Sequence, residues 1–144
     1  MASRCVTIRG PDNRKQVPVS LIILIAAVAL SMPADARWAW AVGVPVNCGP
    51  VAAGTEAYAH LSPGPQYVML RPRLCDTLRN PRRYHASEVA FAVWVLGHER
   101  SHIRGNLDEA QADREGCRDF AEIARKVGIR FRRQDVYDLR VAYC

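Results

Sequence analysis

Residues 86–128 read ASEVAFAVWVLGHERSHIRGNLDEAQADREGCRDFAEIARKVG and contain two helical patterns separated by a glycine. The first pattern, residues 86–104, is apolar on nearly every face for two turns and stops at Gly105, which predicts a helix buried in the core. The second, residues 109–127, repeats apolar residues at intervals of three and four and stops at Gly128. Because the turn between them is short, the two helices should be packed neighbours.

The rest of the chain predicts a small sheet. Residues 66–70 (QYVML) are β-branched and aromatic and lie between two prolines, which predicts a strand at a sheet edge. Residues 37–64 show no sustained period beyond a short strand near 42–46, and residues 129–132 alternate as a short strand would. Two packed helices and a short antiparallel sheet make an α+β fold.

The composition is that of one folded domain. The chain has 144 residues, of which 49% are apolar and 24% are charged, and this is enough for one packed core. The net charge of +6 would suit an anionic partner, but the aromatic residues are not interleaved with a basic stripe. We therefore expect no nucleic-acid binding.

The start of the chain predicts export. Residues 1–16 are basic, residues 17–32 carry no charge, and residues 34–36 (Ala-Asp-Ala) fit a cleavage pattern. These features predict a signal peptide at 1–36 and a secreted or periplasmic domain at 37–144. Contact with a membrane is expected only if the segment stays uncleaved, and a spanning helix needs about 20 apolar residues, more than this run offers.

Four cysteines follow the predicted cleavage site, at Cys48, Cys75, Cys117 and Cys144. An even number in a small exported domain indicates two disulfides, and the sequence leaves all three connectivities open. A zinc site built from the four thiolates is the alternative, but none of them have the short spacing that such sites use.

Residues 98–102 read HERSH, an H-E-x-x-H pattern inside the first predicted helix. Residues four apart lie about 6 Å apart along a helix axis on one face, so His98 and His102 can bind one metal ion. Glu99 is rotated away from that face but stays near enough to exchange a proton with a water molecule. The alternative is two ordinary polar positions at a helix end, where the helix dipole favours a protonated histidine.

Two neighbouring carboxylates compete to be the third ligand. Asp108 fits the metzincin spacing H-E-x-x-H-x-x-G-x-x-D, but that family needs a downstream methionine and none follows Met69. Glu109 begins a Glu-x-x-x-Asp pattern that ends at Asp113, and residues four apart share one helix face. A capping box between Asn106 and Glu109, or another from Asp108 to Gln111, would explain one carboxylate without a metal.

Residues 98–113 resemble the gluzincins, zinc peptidases that pair an H-E-x-x-H helix with a Glu-x-x-x-Asp helix. The resemblance implies a compact zincin-like domain that hydrolyses a peptide or protein substrate with a zinc-activated water. It implies these roles: His98, His102 and Glu109 bind zinc, Asp113 hydrogen-bonds a ligand histidine, and Glu99 is the general base.

The resemblance also implies a substrate strand and an oxyanion donor. Zincins hold an extended substrate on an antiparallel edge strand beside the active helix, and residues 66–70 suit that role best. His85, Tyr137 and Tyr143 are candidate oxyanion donors by residue type, and His60 is interpreted as a loop residue.

A function from another class stays open. The chain can be a non-catalytic exported module that keeps the zinc site for stability or for binding a partner. Substitution of Glu99 distinguishes the two functions. In a structural zinc site, Glu99→Gln leaves both zinc binding and function intact, whereas in a hydrolase the variant keeps its zinc and loses turnover.

Overall fold

The computed structural model describes residues 32–61 and 63–144, and over these ranges the protein is an α+β domain. Its helices are α1 (Ala34–Val42), α2 (Pro72–Arg79), α3 (Ala86–Ile103), α4 (Glu109–Val127) and α5 (Arg133–Tyr143), and its strands are β1 (Val46–Cys48), β2 (Ala57–His60) and β3 (Tyr67–Leu70). The predicted fold class is confirmed, and both predicted helices are present as α3 and α4.

Helices α3 and α4 pack against each other at the centre of the core. α3 buries Val93 and Leu96 completely, and α4 contributes Ile123. Their backbones approach most closely at two glycines, since a Cβ on Gly97 would lie 3.0 Å from the Cα of Gly116. Only residues without a side chain permit so close a crossing. Because Gly97 precedes His98, the crossing lies beside the predicted metal ligands.

The turn between α3 and α4 reverses the chain sharply. Gly105 adopts a φ of 93°, a left-handed conformation that glycine reaches without strain. The Asp108 side chain then accepts a 2.6 Å hydrogen bond from the backbone N–H of Gln111 and caps α4. This turn places the start of α4 beside the end of α3.

The sheet has the order β1-β3-β2, with β1 parallel and β2 antiparallel to β3. The prediction of an edge strand at 66–70 is therefore wrong, because β3 is the central strand and Val68 and Leu70 are fully buried. The flanking prolines lie outside the paired residues, so they remove no ladder hydrogen bond. The sheet is also mixed rather than wholly antiparallel, and β2 is one of its edges.

Two other segments differ from their predictions. Residues 37–64, expected to be irregular apart from a strand near 42–46, contain most of α1 together with β1 and β2. Residues 129–132 connect α4 to α5 and form no strand, because their apolar members pack against the helical core instead of pairing with a neighbour. His60 lies on β2 rather than in a loop, and its ring stacks on Tyr67 at 4.7 Å.

The four cysteines form the disulfides Cys48–Cys75 and Cys117–Cys144. The first joins β1 to α2, and the second joins α4 to the residue that follows α5. This pairing decides among the three connectivities that the sequence left open. Two disulfides fit an extracytoplasmic location.

The predicted signal peptide lies almost wholly outside the described residues. Helix α1 begins at Ala34, before the predicted cleavage point, and buries Trp38 to 1% exposure. Asp35 forms a 3.0 Å ion pair with Arg79 of α2. The boundary at residue 36 stays a prediction. Among residues 32–61 and 63–144, no helix has both the length and the apolar character needed to cross a membrane.

Candidate metal centre

The side chains of His98, His102 and Glu109 converge at the junction of α3 and α4. The two Nε2 atoms lie 2.9 Å apart, and Glu109 Oε2 lies 3.1 Å from that of His98 and 3.5 Å from that of His102. These residues form a group that can hold a metal ion. The helical spacing supplies the two histidines, and the Gly105 turn brings Glu109 opposite them.

Hydrogen bonds to the far ring nitrogens orient both histidines. His98 Nδ1 lies 2.9 Å from Asp113 Oδ1, and His102 Nδ1 lies 2.7 Å from the backbone carbonyl oxygen of Asn106. A carbonyl oxygen can only accept, so His102 Nδ1 carries a proton, and the Asp113 carboxylate accepts in the same way from His98. Asp113 thus contacts the ring of His98 on the side away from Glu109.

This hydrogen bonding directs electron pairs toward one point. With Nδ1 protonated, each neutral imidazole presents the lone pair of its Nε2 to the space between the two rings. The carboxylate oxygen of Glu109 faces the same space. Three electron-rich atoms at these separations repel one another unless a proton or a metal cation lies among them. Two imidazole nitrogens and a carboxylate oxygen are a donor set that suits a transition metal such as zinc.

The group is open on one side. The side chains of His98 and His102 are 14% and 12% exposed, whereas that of Glu109 is 77% exposed. Within the part of the chain that the structure describes, three protein donors meet at this point. A structural zinc site normally has four protein ligands, whereas this group offers three.

Asp108, the competing third ligand, is engaged elsewhere. Its side chain caps α4 by accepting from Gln111, and it does not belong to the group of converging donors. The cap predicted for Asn106 takes another form, since its side-chain oxygen accepts from the backbone N–H of Asp108 at 3.3 Å. Glu109 is therefore left to contact the two histidines.

Glu99 lies behind the ligands, against the sheet. It is 5% exposed, and its Oε2 atom has no hydrogen-bond partner among residues 32–61 and 63–144. The backbone N–H of Ala59, on strand β2, faces its carboxylate. The pKa of Glu99 is raised to about 7, mainly by burial and also by the nearby Glu109 carboxylate, while His102 and the Ala59 N–H act to lower it.

The predicted oxyanion donors are placed at different distances from the group. His85 precedes α3, thirteen residues before His98, so it lies about 20 Å away along the helix axis. Tyr137 is 63% exposed on α5. Tyr143 is nearest, since its ring stacks 5.1 Å from that of Trp94, which lies 5.5 Å from the His98 ring.

Two backbone groups that contact the site residues were not predicted from the sequence. The carbonyl of Asn106 orients His102, and its position four residues after that histidine was the available signal. The N–H of Ala59 carries no sequence signal, because a backbone group can come from any residue type.

No protein family model matches the chain, and neither a curated protein nor a solved structure matches it. The resemblance to the gluzincins therefore rests on the residues described above.

Proposed function

We propose that the protein is an extracytoplasmic zinc peptidase. The observation that carries this proposal is the convergence of the His98, His102 and Glu109 donor atoms at a point that is open to solvent on the Glu109 side. Nitrogen donors favour zinc over calcium or magnesium, which prefer oxygen. Zinc in such a set supplies Lewis acidity for hydrolysis.

The chain's own residues supply the remaining chemistry. Asp113 and the Asn106 carbonyl hold the two imidazoles in the tautomer that points Nε2 at the ion. Glu99 accepts a proton from the attacking water and returns it to the leaving amine. The Oε2 atom of Glu99 supports this role, since no group in the described part of the chain hydrogen-bonds to it.

Strand β2 is the edge best placed to hold an extended substrate. Glu56 accepts a hydrogen bond from the backbone of Arg71, so the alternation of an antiparallel pair turns the backbone groups of Ala57 and Ala59 away from β3. The outer N–H of Ala59 faces the Glu99 carboxylate, so a substrate would pair with the Ala59 carbonyl and with the outer groups of Ala57. A substrate strand added there would run past the metal ligands.

A second candidate function is favoured by the burial of Glu99. A carboxylate that is 5% exposed is poorly placed to meet solvent, and this observation fits a zinc-binding module without turnover. The two candidates share the metal site and differ only in the role of Glu99.

The metal site is tested by the zinc content of the purified chain and of two variants. Glu109→Gln removes the carboxylate from the ligand group, and Asp108→Ser removes the competing carboxylate while keeping a residue that can cap α4. We expect about one zinc per chain in the parent and in Asp108→Ser, and a loss of zinc in Glu109→Gln. Loss in Asp108→Ser alone would assign the third ligand to Asp108.

Turnover is tested with Glu99→Gln and a mixture of unstructured peptides analysed by mass spectrometry. The peptidase proposal expects zinc to be retained and cleavage to fall by at least about a hundredfold. Equal cleavage by the variant and the parent would refute the role of Glu99. Bound zinc without cleavage in either protein would leave the binding module as the function.

A further inference from the structure

A cavity of about 330 Å³ opens at the far end of α3 from the metal ligands. Phe91 and Tyr143 form its aromatic wall, with ring centroids 5.2 Å apart. Four charged residues also line it: Glu56, Arg71, Arg73 and Glu88. Ligand pockets start at about 300 Å³, so this cavity has room for one side chain rather than a large molecule.

Aromatic rings connect this cavity to the metal centre. The Trp94 ring lies 5.8 Å from that of Phe91, 5.1 Å from that of Tyr143 and 5.5 Å from that of His98. The Phe91, Trp94 and His98 rings share one face of α3, because their spacings of three and four residues match the helical repeat, and Tyr143 packs onto this face from α5. The surface between the cavity and His98 is therefore continuous and largely apolar.

Two spacings along the chain place the near side of the cavity at similar distances from the candidate site, and the other α3 residues that line the cavity lie further from His98. Phe91 precedes His98 by seven residues, which corresponds to about 10 Å along α3. Glu56 precedes Ala59, the strand residue beside Glu99, by three residues, which corresponds to about 10 Å along an extended strand. A substrate paired with β2 would therefore reach the cavity with its third residue from the reacting bond.

The charges of the cavity cancel in pairs. Arg71 Nη1 lies 3.0 Å from Glu56 Oε1, and Arg73 is paired with Glu88. A cationic side chain would meet two guanidinium groups, and an anionic one would meet two carboxylates. The aromatic wall instead offers apolar contact, so a neutral aromatic or large aliphatic side chain fits best.

We propose that this cavity binds a neutral, preferably aromatic, side chain of the peptide substrate, at the third residue after the cleaved bond. The direction follows from antiparallel pairing with β2, in which a substrate leaving Ala59 toward Glu56 runs toward its own C-terminus. This inference rests on the peptidase function proposed above and names the substrate class of that site.

The test uses the zinc-loaded chain and a series of otherwise identical peptides with Phe, Ala, Lys or Glu at that third position. We expect kcat/KM to be at least about tenfold higher for the Phe peptide than for the other three. In Phe91→Ala and in Tyr143→Ala the ratio of Phe to Ala peptide should fall below about threefold. Tyr137→Ala, a tyrosine on the same helix that does not line the cavity, should keep the full ratio.

Each outcome decides the inference separately from the peptidase function. Cleavage without a preference, or with a preference that all three variants retain, overturns the cavity assignment and leaves the peptidase standing. A preference only at the third residue before the bond also overturns it.

If no peptide is cleaved, the same peptides are titrated by calorimetry. Binding of the Phe peptide that is lost in Phe91→Ala supports the cavity assignment, and no binding overturns it. Because Phe91 is half-buried, thermal melting checks that its variant folds, and the partly exposed Tyr143 supplies the second variant.

Discussion

At the level of single residues, hydrogen bonds to the far ring nitrogens orient the two histidines of the candidate metal site. Asp113 and the Asn106 carbonyl each accept from an Nδ1, and they leave both Nε2 lone pairs free for a cation. One partner is a side chain and the other is backbone. Only the first can be removed by substitution without changing the turn.

Asp113→Asn is therefore expected to weaken zinc binding about 10–100-fold, because the uncharged amide orients His98 less firmly and makes it a poorer donor. The measurement is the zinc dissociation constant from competition with a chromophoric chelator. Arg114→Ala is the control, since Arg114 is exposed on the same turn. Unchanged affinity in Asp113→Asn would mean that the Asp113 contact does not serve the metal.

At the level of elements, the site depends on how closely α3 and α4 cross. A Cβ on Gly116 would lie 3.0 Å from Trp94 Nε1 and 3.2 Å from the backbone nitrogen of His98. The same crossing therefore sets the separation of the helices and the position of the first ligand. Glycine in a helix lowers its stability by about 1 kcal/mol relative to alanine, so its presence at both positions has a packing reason.

Gly97→Ala is expected to destabilise the fold, although alanine favours a helix. Overpacking costs about 1–3 kcal/mol, and the gain in helix propensity offsets about 1 kcal/mol of it. Zinc affinity should fall as well, since His98 follows directly. Urea unfolding and zinc titration measure the two effects, and Ala121→Gly, at an exposed position of α4, measures the propensity contribution. A more stable Gly97→Ala protein would contradict the close crossing.

At the level of the whole molecule, two disulfides join short or terminal elements to the rest of the domain. The Cys117–Cys144 bond fastens the end of α5, a helix whose buried side chain is Leu139. The Cys48–Cys75 bond fastens the three-residue strand β1 to α2. Each pair of cysteines is 27 residues apart in the sequence, so the two bonds restrict the unfolded chain equally.

Replacing either pair by alanine is expected to lower the free energy of unfolding by about 3–4 kcal/mol, by similar amounts for the two bonds. Local dynamics should differ, because only loss of Cys117–Cys144 frees the end of α5. Hydrogen exchange followed by mass spectrometry should show faster exchange in residues 133–143 for that variant, with the Cys48–Cys75 variant as control. Equal exchange in the two variants would show that packing alone holds α5.

The sequence by itself determined the features that depend on neighbours a few residues away. The helical repeat and the glycines that follow it predict α3 and α4, and spacing within each helix predicts the His98–His102 face and the Glu109–Asp113 face. The tertiary structure decided what depends on distant partners: the central position of β3, the cysteine pairing, the choice between Asp108 as a cap and Glu109 as a neighbour of the histidines, and the meeting of β2 with Glu99. Such contacts join residues far apart in the chain, and local sequence patterns do not determine which distant segments come into contact.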